Sequence, residues 1–264
     1  VALYTITPMV VAYGPKREKS RFTYMHNFGE KIDIPYVSWL IRGDGLTVLV
    51  DTGCSAEEFQ THIKPMNKGG AHMLAGEQFA DVVDVKPLAE HLKERGLTVN
   101  DIDMVIQTHL DWDHSMNTRQ FKKARIIAQK SEWDSIPVHP FFQGSYAPTY
   151  IYEELGRMRL ELVEGDHEIA PGLRLLYTPG HSAGGQSVIV DTAAGRYAIA
   201  GMCTVRENFY PPEEIKARGY PVIPPGFHYD VMQCFRSMQR LLDVAGENVI
   251  AFHDSANFTR GPIG

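Results

Sequence analysis

The sequence predicts an α+β domain on three observations: turn-separated pairs of strand-like segments, two helical periodicities of the kind that pack on a sheet, and three strands that each run into a histidine. Val1 to Gly14 reads as a first strand, apolar but interrupted by Tyr4, Thr5, Thr7 and Tyr13 and lacking the basic start of a signal peptide. Tyr36 to Arg42 and Leu46 to Val50 flank Gly43-Asp44-Gly45 as a hairpin, whose second strand enters Asp51-Thr52-Gly53. Val85 to Arg95 has helical spacing, with Leu88 and Leu92 on one face and Gly96 as a stop. The β-branched run Met104-Val105-Ile106 leads through Gln107-Thr108 to His109, and Leu173 to Tyr177 leads through Thr178-Pro179-Gly180 to His181. Gln186 to Val190 and Arg196 to Ala200 form a second hairpin about Ala193-Ala194-Gly195 that enters Gly201-Met202-Cys203. A second helical pattern spans Tyr229 to Val244, with Val231, Phe235, Met238, Leu241 and Leu242 along one side, and Val249 to Phe252 delivers His253-Asp254. Ser55 to Asp84 and Pro137 to Tyr150 have no clean period and read as loops or short helices over a site.

Length and composition narrow the classes. A chain of 264 residues is long enough to bury a substantial core, and one domain over residues 1–264 is expected. The net charge of −6 gives no basic surface for nucleic acid, and no apolar run reaches the roughly 18 residues of a membrane span. Cys54, Cys203 and Cys234 form neither a CxxC pair nor an even set, which fits a reducing, cytoplasmic compartment better than a disulfide scaffold. The chain starts at Val1 rather than Met, which leaves residues upstream open.

His109, Asp111, Asp113 and His114 fall within six residues, and all are types that bind a divalent cation. In an extended loop His109 and Asp111 point one way, while Asp113 and His114 can turn toward a second point nearby, so two metal subsites follow. The competing reading is a polar turn capping a helix that starts at Ser115, with Asp113 as its N-terminal charge. His181 and His253 at other strand ends weigh against it.

Asp51-Thr52-Gly53, His109-Leu110-Asp111-Trp112-Asp113-His114, Thr178-Pro179-Gly180-His181-Ser182-Ala183-Gly184-Gly185 and Phe252-His253-Asp254 resemble, in order and spacing, the motifs of the metallo-β-lactamase superfamily. Within it the likeness is to the N-acyl-homoserine lactonases and their relatives, where a phrase like Arg206-Glu207-Asn208 followed by a helix from about Asp230 recurs. The resemblance implies a four-layer αββα sandwich with metals at one edge. It implies that His109, Asp111 and His181 hold one metal and Asp113, His114 and His253 another, with Asp51 orienting the loop by hydrogen bonds behind them. It also implies a small-molecule substrate and a homodimer.

The sequence departs from that pattern in three places. Asp111 stands where the family has His; a carboxylate is harder than imidazole, so manganese or iron(II) joins zinc, the family default, as the expected divalent ion, with one or two ions bound. The lactonase bridging Asp, seven residues before the Asn of the Arg-Glu-Asn phrase, falls on Gly201; Cys203, two residues on, reads either as a thiolate ligand or as a buried inert thiol. A Tyr that relatives place to assist the carbonyl oxygen falls on Thr204, and Tyr210 or His228 is the candidate replacement donor.

The expected activity is opening of a small lactone, cyclic amide or ester by a hydroxide generated on the metal, with Asp113 orienting the water and passing its proton to the leaving group. Phe141 and Phe142, with Tyr146, Tyr150, Phe209 and Tyr210, hint at an apolar or aromatic ring in the pocket. Two alternatives stand beside this one: an iron-dependent oxidoreductase, because two His and one carboxylate make an oxygen-competent iron set, and a non-catalytic member with a degenerate site. His26, His62, His72, His91, His139 and His167 have no sequence partners and read as surface or core residues.

Overall fold

Alternation along each strand sends neighbouring side chains to opposite faces, and here both faces are apolar, so each sheet must be covered on two sides. In the computed structural model, which describes residues 2–64, 81–137, 146 and 149–264, two sheets satisfy that demand by packing on each other and carrying helices outside. Phe141 and Phe142 lie outside the described residues.

The first sheet contains β1 (Thr5–Glu18), β2 (Lys31–Gly43), β3 (Leu46–Val50), β4 (Val83–Asp84), β5 (Met104–Ile106), β6 (Arg125–Gln129) and β7 (Arg159–Val163), in the order β4-β1-β2-β3-β5-β6-β7. The second contains β8 (His167–Ala170), β9 (Leu173–Tyr177), β10 (Gln186–Thr192), β11 (Gly195–Ile199) and β12 (Val249–Ile250), in the order β12-β11-β10-β9-β8. Val37, Trp39, Ile41, Val48, Val50, Met104 and Ile106 of the first sheet meet Leu173, Leu175, Val188, Val190 and Ile199 of the second in the central core. The intervening residues Leu40, Leu49 and Val105 face outward, against Leu88 and Leu92 of helix α1 (Leu88–Lys93). Each aliphatic side chain so buried contributes about 1.5–3 kcal/mol.

On the far side, Leu176, Ile189, Ala198 and Ala200 receive Met238, Leu241 and Ala245 of the long C-terminal helix Val231–Ala245. Its Asp230 side chain caps the amides of Met232 and Gln233 at 2.9 and 3.0 Å. The αββα expectation therefore holds, and both predicted hairpins are present.

Boundaries differ where local chemistry intervenes. Helix α1 starts at Leu88 rather than Val85, because Pro87 disfavours helical backbone at the residue before it and itself occupies the extended N-cap. The helix expected from Ser115 is instead the single turn α2 (Trp112–Ser115), with Asp111 at its N-cap position, so the metal-type cluster runs into the helix rather than preceding it. β1 runs from Thr5 to Glu18, past the expected Gly14, because β2 pairs with it as far as Glu18 opposite Lys31.

Topology brings the histidines together. β3, β5 and β6 are parallel, so Asp51, His109 and the helix α3 (Lys130–Ser135) all emerge at one edge. In the second sheet β9 and β11 are each antiparallel to β10, and β12 is parallel to β11, so His181, Cys203 and His253 also leave from a common edge.

Candidate metal centre

Two clusters of inward-facing donors form where these edges meet. In the first, His109 Nε2 and His181 Nε2 each lie 3.6 Å from Asp111 Oδ2 and 3.2 Å from each other. In the second, His114 Nε2 and His253 Nε2 lie 3.5 and 3.7 Å from Asp113 Oδ2. Within each set the donor atoms are all within 4.8 Å of one another, and the His109 and His114 rings, 3.9 Å apart, join the two sets.

The decisive feature lies behind the rings, because every histidine has its Nδ1 held by a protein acceptor. His181 Nδ1–H donates to the Phe227 carbonyl at 2.9 Å and His253 Nδ1–H to the Pro35 carbonyl at 3.0 Å. His114 Nδ1–H donates to Asp51 Oδ2 at 2.7 Å. His109 Nδ1 meets Thr108 Oγ1 at 2.9 Å, and since that hydroxyl spends its hydrogen on Asp51 Oδ2, it accepts from the ring. All four Nε2 lone pairs therefore aim into the site, beside two carboxylates. Lone pairs at 3.2 Å repel unless a cation or proton lies between them, so this donor set fits a divalent metal.

Asp51 adopts a left-handed backbone, φ 54°, which lets one carboxylate accept from the Thr108 amide, the Thr108 hydroxyl and His114, each at 2.7 Å. Its carboxylate thus stands behind the rings, bonded to Thr108 and to His114 Nδ1.

Burial dominates the electrostatics. It pushes Asp113 up to about 7, with Asp111 adding to the rise, and raises Asp51 against the opposing hydrogen bonds from Thr108. It lowers His109 to about 3, His253 to about 4, and His114 as well. His181 moves the other way: burial alone would lower it, but the hydrogen bond and charge of Asp111 outweigh that.

Cys203 lines the cavity yet belongs to neither donor set, and burial followed by the Asp113 charge drives its thiol well above the usual range. At Gly201 there is no room for the missing bridging carboxylate: a Cβ would overlap the Gln186 carbonyl oxygen and come within 2.6 Å of Thr108 Cβ. Tyr210 and His228 are not brought to the cavity. The Tyr210 hydroxyl donates to the Glu247 carbonyl at 2.7 Å, and His228 Nδ1 meets the Pro225 carbonyl at 2.8 Å.

Sequence reasoning misses Glu132 and Arg21. Glu132, fully buried on α3, accepts from the Leu110 amide at 3.0 Å and the Gly184 amide at 2.8 Å, tying the His109 loop to the His181 loop. Gly184 is required there, since a Cβ would come within 2.6 Å of Glu132 Cα. Arg21 lines the cavity with Arg17, Phe22, Ile34, Tyr36, Trp112 and Phe227.

A two-sheet sandwich with paired histidine–carboxylate sets where its strand edges meet is the architecture of a metal-site hydrolase fold. The chain belongs to the metallo-beta-lactamase superfamily, whose family model matches residues 33–245. It is similar to an N-acyl homoserine lactonase of Bacillus cereus, 29% identical over 165 residues that cover 62% of this chain and 61% of that protein. It is also similar to N-acyl homoserine lactonase AiiB of Agrobacterium fabrum, 30% identical over 194 residues covering 69% of this chain and 67% of that one. A solved N-acyl homoserine lactone hydrolase with N-hexanoyl-L-homoserine bound at its catalytic metal center shares the fold, with a TM-score of 0.71, 22% identity and 97% and 94% of the two chains covered. The dizinc lactonase AidC shares it at a TM-score of 0.65 and 14% identity, over 96% and 88% of the two chains.

Proposed function

We propose that this chain is a single-domain, metal-dependent hydrolase that opens a small lactone or a related cyclic ester or amide. The observation that carries the reading is the common anchoring of all four histidines through Nδ1, which leaves four Nε2 atoms and two carboxylates converging on one space. His109, Asp111 and His181 would hold one divalent ion, and Asp113, His114 and His253 a second. Zinc, manganese and iron(II) all suit a set of imidazoles and carboxylates, and Asp111 tilts the first subsite toward the harder ions. When bound, such an ion activates water at neutral pH and polarises a carbonyl.

The chain's own residues do the rest. Asp51 and Thr108 fix the tautomers of His114 and His109, while Phe227 and Pro35 carbonyls fix those of His181 and His253. Asp113 Oδ2 sits at the mouth of the second set, where it accepts a proton from the attacking water and delivers it to the leaving ring oxygen or nitrogen. The carbon–oxygen bond to water forms, the ring bond breaks, and a hydroxy acid or amino acid leaves.

A panel of lactones, cyclic amides and esters, assayed for ring opening by metal-stripped protein reconstituted with zinc, manganese or iron(II), tests the proposal. Turnover with at least one ion supports it, and none with any ion overturns it. Metal affinity should also depend on pH. With Asp113 pushed up to about 7, and His181 raised by the hydrogen bond and charge of Asp111, protons compete for both donors, so affinity falls at least about tenfold per unit as the pH drops below 7. Calorimetric metal titration at pH 6 and pH 8 reads this as a Kd weaker by at least about tenfold at pH 6.

A further inference from the structure

The segment Lys19–Arg21 is a single 3₁₀ turn tied down from several sides, and what it holds is a guanidinium without a hydrogen-bonding partner among the described residues. Lys19 Nζ pairs with Glu207 Oε1 at 2.5 Å and Glu30 Oε1 at 2.8 Å, and Asn27 Nδ2 donates to Glu207 Oε2 at 3.0 Å. Asn208 Nδ2 bonds the carbonyls of Phe22 and Ile223, and the Phe227 amide donates to the Arg21 carbonyl at 2.7 Å. Glu207 and Asn208 thus build the seat on which Arg21 stands. Its guanidinium lies over the Phe227 ring, 5.3 Å from the centroid, and lines the same cavity as Asp111, Asp113, His181 and His253.

Among the described residues Arg21 makes no side-chain hydrogen bond and no ion pair, while Arg17, the other guanidinium of the cavity wall, donates to the Tyr36 hydroxyl and the Asp81 carbonyl. Arg21 is half-buried, and a guanidinium partly withdrawn from water against an aromatic face is costly unless a ligand oxyanion takes its planar fork. No carboxylate of the metal-type sets comes within ion-pair distance of it, although Asp111 and Asp113 line the same cavity.

We propose that Arg21 is the anion-binding group of this cavity, and that the substrate carries a carboxylate in addition to the carbonyl that is attacked. The proposal rests on the hydrolase reading for the identity of that carbonyl, but not for the anion site itself. It also gives the cavity a recognition element of its own in a chain where Thr204 replaces the carbonyl-assisting Tyr of the resembling lactonases.

The test uses zinc-loaded full-length protein and a non-hydrolysable pair, 3-oxocyclopentanecarboxylate and its methyl ester, with binding measured by calorimetry. The carboxylate is expected to bind at least tenfold tighter than the ester. Arg21→Gln should erase the difference with the ester's Kd unchanged, and Arg21→Lys, which keeps the charge without the fork, should retain part of it. Equal binding of the two probes, or a preference that survives in a folded Arg21→Gln protein, overturns the proposal. In parallel, 5-oxotetrahydrofuran-2-carboxylate and its methyl ester are assayed for ring opening. A KM rise of roughly 10- to 100-fold in Arg21→Gln for the carboxylate alone supports a substrate-binding role. An equal kcat loss for both would instead make Arg21 a stabiliser of the reacting carbonyl oxygen and overturn the proposal. A carboxylate preference in binding without ring opening of any lactone leaves the anion site standing and sinks the lactonase reading.

Discussion

Asp113→Asn is expected to lower kcat for ring opening by about 10²–10⁴ while leaving the fold intact. The substitution keeps the shape of the side chain and its place 3.5 Å from His114 Nε2 and 3.7 Å from His253 Nε2, but removes its negative charge and its capacity to take a proton. The thermal midpoint of the metal-free protein should hold or rise, because Asp113 is an acid whose ionised form is already disfavoured by burial and by Asp111. Rate and metal content measured on the same preparation separate the proton-transfer role from a loss of metal. A kcat within threefold of wild type would remove Asp113 from the chemistry.

Gly201→Asp should be the most destabilising change at the site, although comparison of motifs alone would favour it as a repair. The aspartate would restore the carboxylate that lactonase relatives carry at this register. In this chain its Cβ would overlap the Gln186 carbonyl oxygen and crowd Thr108, whose amide and hydroxyl hold Asp51. The Gly201 amide itself bonds Ser187 Oγ at 3.0 Å, so the backbone is not free to move away. Overpacking at backbone, with a third carboxylate pressed toward Asp111 and Asp113, costs about 3–5 kcal/mol. Thermal unfolding should fall by roughly 10 °C. A variant as stable as wild type that gained metal affinity would show that the strand end adapts and that the site tolerates the lactonase pattern.

The parts of the site that were legible in the sequence are those whose signal is local. His109, Asp111, Asp113 and His114 sit within one loop, and His181 and His253 follow strands whose turn residues and apolar runs mark them. The hairpins were legible for the same reason, since Asp44-Gly45 and Ala193-Ala194 set their own turns. Glu132 was not, because a lone acid between Lys130, Trp133 and Asp134 on a short helix reads as solvent-facing. Only the meeting of α3 with the Leu110 and Gly184 amides reveals why it is buried. Arg21 was hidden likewise in the charged run Lys16-Arg17-Glu18-Lys19-Ser20-Arg21, and it is turned inward by Glu207 and Phe227, some two hundred residues away in the chain. Tyr210 failed as a site residue for the converse reason: its nearness in sequence to the strand end at Gly201 did not survive the turn α4 (Arg206–Phe209), which carries it to the Glu247 carbonyl on the outer face.

Metal analysis of the wild type and of His109→Ala, each stripped, reloaded with zinc and freed of excess ion, tests the central claim most directly. The wild type is expected to hold one or two ions and His109→Ala at least one fewer, with loss of ring opening in step. Equal metal content in the two proteins, or a wild type that binds no divalent ion, would contradict it.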